Sequence, residues 1–271
     1  MKFPFLIIFV ELIFNGSNSV LIKDVDWCNS PNCKLKMNHT ICKWGVLCPP
    51  DKLCETTLEF NKEMKDYIME LHNIKRNKIA LGEDDNVPID VRKAANMNVL
   101  QWHIHLEFVA RCHSRQCTFG HDECRVVPDF PKVGQNIFFK SFPNYKAHDV
   151  NIKEIVENSI QAWYGEVKHV PEEVYEKFKN TVEAITEHYT QMIWADTTHI
   201  GCGLSQTKNQ KDLKFYLVCN YGLAGNVVTW PIYKVGEPCS KCSTGKECNT
   251  KFKGLCGNIE DYAIKCPCEE A

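Results

Sequence analysis

The sequence predicts an α+β fold in which amphipathic helices pack on a mostly antiparallel sheet. Three observations lead there. Apolar residues recur at three- and four-residue steps in three segments, the signature of helices with one buried face. Separate runs rich in β-forming residues lie at 137–139, 199–206 and 215–221. No strand–helix–strand repeat of regular spacing links these runs, which argues against a doubly wound parallel sheet.

The elements follow in chain order. Lys2 precedes an apolar stretch, 3–14, interrupted once by Glu11, and Ser17-Asn18-Ser19 supplies small residues suited to signal peptidase. Residues 1–19 therefore read as a secretory signal peptide, too short to span a bilayer comfortably. No later segment is apolar and long enough to cross a membrane. Residues 20–57 form a cysteine-rich extension with little apolar periodicity, and Asn38-His39-Thr40 within it is a sequon for N-glycosylation at Asn38. A helix is expected over 58–82, carried by Phe60, Met64, Ile68, Leu71 and Ile74, with a loop at Glu83-Asp84-Asp85 and Pro88. A second is expected over 103–117, with Leu106, Val109, Ala110 and His113 on one face. A third carries Ile155, Val156, Ile160, Trp163 and Val167. The main domain is expected to span 58–233, and 234–271 reads as a small cysteine-rich tail that needs staples.

Sixteen cysteines indicate an oxidising compartment. They stand at Cys28, Cys33, Cys42, Cys48, Cys54, Cys112, Cys117, Cys124, Cys202, Cys219, Cys239, Cys242, Cys248, Cys256, Cys266 and Cys268. Cys239-x-x-Cys242 and Cys266-x-Cys268 look like halves of zinc–thiolate motifs, but the secretory leader favours disulfides. Cys202 and Cys219 flank a turn between two expected strands and should pair. The six tail cysteines should bridge among themselves, in an order left open, giving a tail separable from the main domain.

Composition removes several function classes. A net charge of -2 points to neither nucleic acid nor an anionic membrane surface, and 11% aromatic residues exclude disorder. The chain has no internal repeat, phosphate loop, Gly-x-Ser-x-Gly elbow or Arg-Gly-Asp. A Cys–His nucleophile is disfavoured because the cysteines are expected to be bridged.

Two segments carry a resemblance. Glu187-His188-Tyr189-Thr190-Gln191-Met192-Ile193-Trp194-Ala195-Asp196-Thr197 resembles the first signature of the CAP superfamily (cysteine-rich secretory protein, antigen 5, pathogenesis-related). Tyr216-Leu217-Val218-Cys219-Asn220-Tyr221-Gly222-Leu223-Ala224-Gly225-Asn226 resembles the second, with Gly201-Cys202-Gly203 between them. His72-Asn73 with Arg76 on the first helix is similar to the family, and the Cys117-to-Cys124 stretch followed by Gly134-Gln135-Asn136-Ile137 resembles its insect venom and salivary antigen 5 branch.

The resemblance implies a three-layer α-β-α sandwich. It also implies a cleft tetrad of two histidines and two acids, here His121, His188 and Glu166, with Gln135 where many members carry Glu. Two His and one Glu suit weakly bound Zn or Cu. Spacing alone would not suggest this, because 45 residues separate His121 from Glu166. Trp163 and Trp194 read as core, and Tyr189 as either core or lining of the cleft. The antigen 5 pattern implies Cys28–Cys42 and Cys33–Cys124 and ties Cys117 to the extension, so that Cys48 and Cys54 pair with Cys112 and Cys117 in an order left open. The function implied is a secreted, non-enzymatic effector or allergen of venom or saliva type. Its partner would be an extracellular host protein, lipid or small molecule. The alternatives are a lipid or sterol carrier, and a metal-dependent hydrolase with Glu187 as base.

Overall fold

The computed structural model describes residues 24–262, apart from positions 36, 53, 55, 144–149, 182 and 209–211. The expected signal peptide, and Cys266 and Cys268, lie outside the described residues.

The β-rich runs form one sheet. β4 (His199–Lys208) and β5 (Asp212–Gly222) pair antiparallel, and β3 (Val133–Pro143) pairs antiparallel along all of β5, from Val133 opposite Gly222 to Pro143 opposite Asp212. On the other edge β4 takes β1 (Thr56–Leu58) antiparallel and β2 (Gln101–Trp102) parallel. β3 is longer than the expected strand at 137–139, because its polar residues at 135 and 136 are paired inside the sheet.

Side chains alternate across the sheet and so define its two faces. Phe215, Leu217, Cys219 and Tyr221 of β5 join Ile200, Cys202 and Leu204 of β4 in the main core. Three helices supply the rest of that face: α2 (Lys62–Leu81), α4 (Ile152–Gly165) and α6 (Glu187–Met192). The opposite face carries α3 (Ile104–Ser114), which packs on β4 and β5. Gly201 and Gly203 allow that approach, since a Cβ on either would stand 2.1 Å from Glu107 N or 2.3 Å from Arg111 Cα. The result is the three-layer α-β-α sandwich.

Helix ends depart from expectation where local capping wins. Thr56–Leu58 is strand, and α2 starts after Asn61, whose Oδ1 accepts the Met64 N–H at 2.9 Å. It ends at Gly82 in the left-handed region, φ 74°. α3 stops at Ser114, so Cys112 is helical but Cys117, with φ 47°, sits in the following turn.

The extension contains a short helix, α1 (Thr40–Trp44), that the sequence reading took as irregular. Trp27, Ile41 and Cys48 of the extension form a second core with Leu106, Phe108, Val109 and Cys112 of α3. Cys28–Cys42 closes a loop within the extension, while Cys33–Cys124, Cys48–Cys112 and Cys54–Cys117 pin it there, which settles the open order. Cys202 and Cys219, directly opposite on β4 and β5, are also bridged.

In the tail, Cys239–Cys248 and Cys242–Cys256 are bridged. The packing runs against the expected separability. Phe252 and Leu255 belong to the main core, Cys256 N donates to Met97 O at 2.7 Å, and Gly254 N donates to Asn77 Oδ1 at 2.8 Å. Gly254 nests on α2, where a Cβ would meet Ala80 at 2.9 Å. A further helix, α5 (Glu172–Glu176), precedes α6.

Candidate functional site

The two histidines of the expected tetrad come from different layers, and the charge of His188 reaches His121, though the pocket beside His121 is not lined by His188. His121 lies in the 117–124 loop, anchored at both ends by Cys54–Cys117 and Cys33–Cys124. His188 is the second residue of α6, and Glu166 caps the C-terminus of α4. Gln135 stands on β3 opposite Asn220 on β5.

Each imidazole has its Nδ1 held by one neighbour. His188 Nδ1 meets Glu166 Oε1 at 2.6 Å, and Glu166 Oε2 accepts the backbone N–H groups of His188 at 3.1 Å and Tyr189 at 3.0 Å. The Trp163 ring stacks beside His188, 16° from parallel. His121 Nδ1 donates to Gln135 Oε1 at 2.7 Å. That amide cannot turn over, because its Nε2 donates to Asp122 Oδ1 at 3.1 Å and Asn220 Oδ1 at 3.0 Å. Asn220 is fixed in turn by Leu106 O, and Asp122 by Arg125 and Thr40. Both rings therefore carry hydrogen on Nδ1 when neutral, which leaves a lone pair on each Nε2.

Burial, first of all, pushes the His121 pKa below the usual histidine range, with help from nearby Arg125 and His188; the bond to Gln135 and the charge of Asp122 oppose it. Burial tends to raise the Asp122 carboxyl, but Arg125, His113 and the hydrogen bonds from Thr40 and Arg125 hold it below its ordinary value. Asn136 Nδ2 donates to His188 O at 3.0 Å and ties β3 to α6. A pocket of about 210 Å³ opens beside His121, lined among others by Thr40, Trp44, His113 and Asp122. A larger one, about 590 Å³, opens near Asn61, Tyr67 and Lys153, and none of the four site residues lines it.

The structure thus pairs His121 with Gln135 and His188 with Glu166. Among the described residues, it does not bring donor atoms of His121, Glu166 and His188 all within 4.8 Å of one another. Glu187 turns away from the pair; its Oε2 accepts Thr186 N at 2.9 Å. Trp163 and Trp194 are core residues, as read from the sequence, and Tyr189, which the sequence leaves open between core and cleft, is also in the core. Asn38 is half-buried and donates to Glu123, while Thr40 of its sequon is buried. Asp122 and Asn220, which orient Gln135, escaped the sequence reading; nothing in the chain pattern couples them to His121. The Cys239-x-x-Cys242 half-motif has its sulfurs in disulfides, so it offers no thiolate to a metal.

Comparison with known proteins agrees with this architecture. The cysteine-rich secretory protein family pattern matches residues 69–221. Venom allergen 5 of Microctonus hyperodae is 31% identical over 84% of this chain and 94% of its own length. Scoloptoxin SSD976 of Scolopendra dehaani is 36% identical over 71% of this chain and 83% of its own. Among solved structures, NaASP2 with Zn²⁺ is 30% identical, with a TM-score of 0.55, covering 77% of this chain and all of that one. Na-ASP-1 is 27% identical, with a TM-score of 0.62, covering 77% of this chain and 50% of that one. The chain belongs to the cysteine-rich secretory protein family, in its venom antigen 5 branch.

Proposed function

We propose that this protein is secreted and acts by binding rather than catalysis, as an extracellular effector or allergen of venom or saliva type whose cleft can hold a divalent ion. The venom relatives support the class and the location. One observation supports the non-enzymatic part: none of the acidic candidates read from the sequence stands unengaged beside the two imidazoles. Glu166 has both oxygens engaged by His188 and two backbone amides, position 135 is a neutral amide, and Glu187 Oε2 accepts Thr186 N. The Nε2 lone pairs of the two rings are then the available bases, and on this reading they serve as ligand donors.

The residues fit a metal through the two Nε2 atoms, each ring oriented through its Nδ1 as bound imidazoles usually are. On this reading Glu166 and Gln135 are orienting groups. The solved NaASP2 structure contains Zn²⁺, which supports zinc as the ion to try first. A bound divalent ion would supply concentrated positive charge in the cleft. His188, stacked on Trp163, then fixes where that charge sits, and His121 stays neutral because burial opposes its protonation.

The test is to load the secreted protein with Zn²⁺ and assay peptide and ester hydrolysis. No turnover is expected. Turnover abolished by His188→Ala would overturn the reading and favour a hydrolase.

A further inference from the structure

A second histidine cluster lies outside the cleft. His103 precedes α3 and His105 is its second residue; His199 opens β4; Asp129 lies in the loop before β3. His103 Nε2 is 3.2 Å and His105 Nδ1 is 3.5 Å from the same Asp129 Oδ2. The three donor atoms all lie within 4.8 Å of one another. The His199 ring is edge-on to His103 at 5.5 Å, and its Nδ1 is bonded to Thr198 Oγ1 at 2.8 Å, which leaves Nε2 as its available nitrogen.

We propose that His103, His105 and Asp129 form a second divalent-cation site distinct from the His121 and His188 pair, with the His199 ring packed beside it. The geometry is the first support. A tetrahedral zinc with bonds of about 2.0–2.1 Å spaces its ligands about 3.4 Å apart, and the two distances to Asp129 bracket that value. Local structure is the second support. His103 occupies the N-cap of α3, where a side chain ordinarily bonds the first turn, yet its ring makes no such bond. Its Nδ1 is buried without a hydrogen-bond partner, a condition that an ion or water in the cluster would relieve once the ring turns. Phe130 packs on both His103 and His199 and shields the cluster. The site lies across β5 from Gln135: His199 and Val133 flank Gly222, while Gly201 and Gln135 flank Asn220.

The competing reading is a metal-free His–Asp staple between α3 and the 125–130 loop. Zinc titration of the chelator-stripped, full-length His188→Ala protein separates the two, because that variant silences the cleft. Native mass spectrometry should count one bound Zn²⁺, and calorimetry should show its affinity falling tenfold or more in Asp129→Asn and in His103→Gln. Asp129 is 58% exposed, so its variant folds even where His103→Gln fails. Absence of bound zinc in the His188→Ala parent, or affinity unchanged in Asp129→Asn, would overturn the proposal. So would a lowered unfolding temperature in Asp129→Asn with no zinc bound to the parent, since that result belongs to the staple.

Discussion

The two faces of the sheet are held by different means. The α2–α4–α6 face is a continuous apolar core, into which a deeply buried guanidinium is set. Arg76 is fully buried on α2 and donates to the carbonyls of Asn98, Met192, Trp194 and Thr197 at 2.7–3.0 Å. The α3 face is thin. Glycines bring the helix directly onto the strands, a small second core fills the gap, and three disulfides tie the extension across it. The cleft falls on the seam: His188 and Glu166 belong to the packed side, His121 to the cross-linked side. What this teaches is that one site can take its rigidity from burial on one wall and from covalent closure on the other.

The largest expected break is on the packed side. Arg76→Ala would strand the buried carbonyls of Asn98, Met192 and Thr197 and should lose about 3 kcal/mol or more. Denaturant unfolding measures it. A loss under about 1 kcal/mol would mean that side does not depend on the buried guanidinium.

On the cross-linked side, replacing Cys48 and Cys112 with Ala should cost about 2–4 kcal/mol, since the bridge closes a long loop, with 64 residues between its ends. Hydrogen exchange should rise in α1 and 117–124 and stay unchanged in α2 and α6. Uniform loosening would erase the contrast between the faces.

Acid sharpens it. His72, fully buried on α2 between Ile68 O and the Tyr221 hydroxyl, has its pKa lowered to about 4, first by burial and then by Arg76, against the bond to Ile68. The folded chain thus resists a proton that the unfolded chain accepts below about 6.5. Stability is unaffected above that pH and falls between about 6.5 and 4, by roughly 2 kcal/mol from this group at pH 5. Urea unfolding at pH 7 and pH 5 tests it, and His72→Gln should flatten the slope by that amount.

The smallest effect lies in the cleft. Gln135→Glu puts an anion against His121 Nδ1 and makes the two walls alike. Zinc affinity should rise about tenfold. Calorimetry in an Asp129→Asn background reads this cleft alone, and a fall in affinity would contradict the orienting role given to position 135.

The legible parts of the sequence were those with local periodicity or distinctive pattern. β4, β5 and α4 follow from alternation and three- to four-residue steps, and the signature stretches placed His188, Gln135 and the Gly201-Cys202-Gly203 approach. What escaped depended on contacts distant in the chain. α1 is five residues long, and its apolar face exists only against α3. The tail reads as hydrophilic, yet Leu255 and Phe252 are inserted into a core built by residues far upstream. The His103, His105 and Asp129 cluster went unread, because Asp129 reaches the two rings only once the loop before β3 packs beside α3. Glu166 reads as a ligand from its residue type; its engagement through both oxygens emerges only once α4 and α6 are side by side.

The central claim is that His121 and His188, oriented from opposite walls, present their Nε2 atoms to one ligand. Long-range ¹H–¹⁵N spectra of the histidine rings during a Zn²⁺ titration test it most directly. The account predicts that both rings start with hydrogen on Nδ1 and that both Nε2 resonances shift together, at the same zinc equivalent, while His72 stays put. Hydrogen on Nε2 in either ring before zinc is added, or a shift of only one of the two, would contradict it.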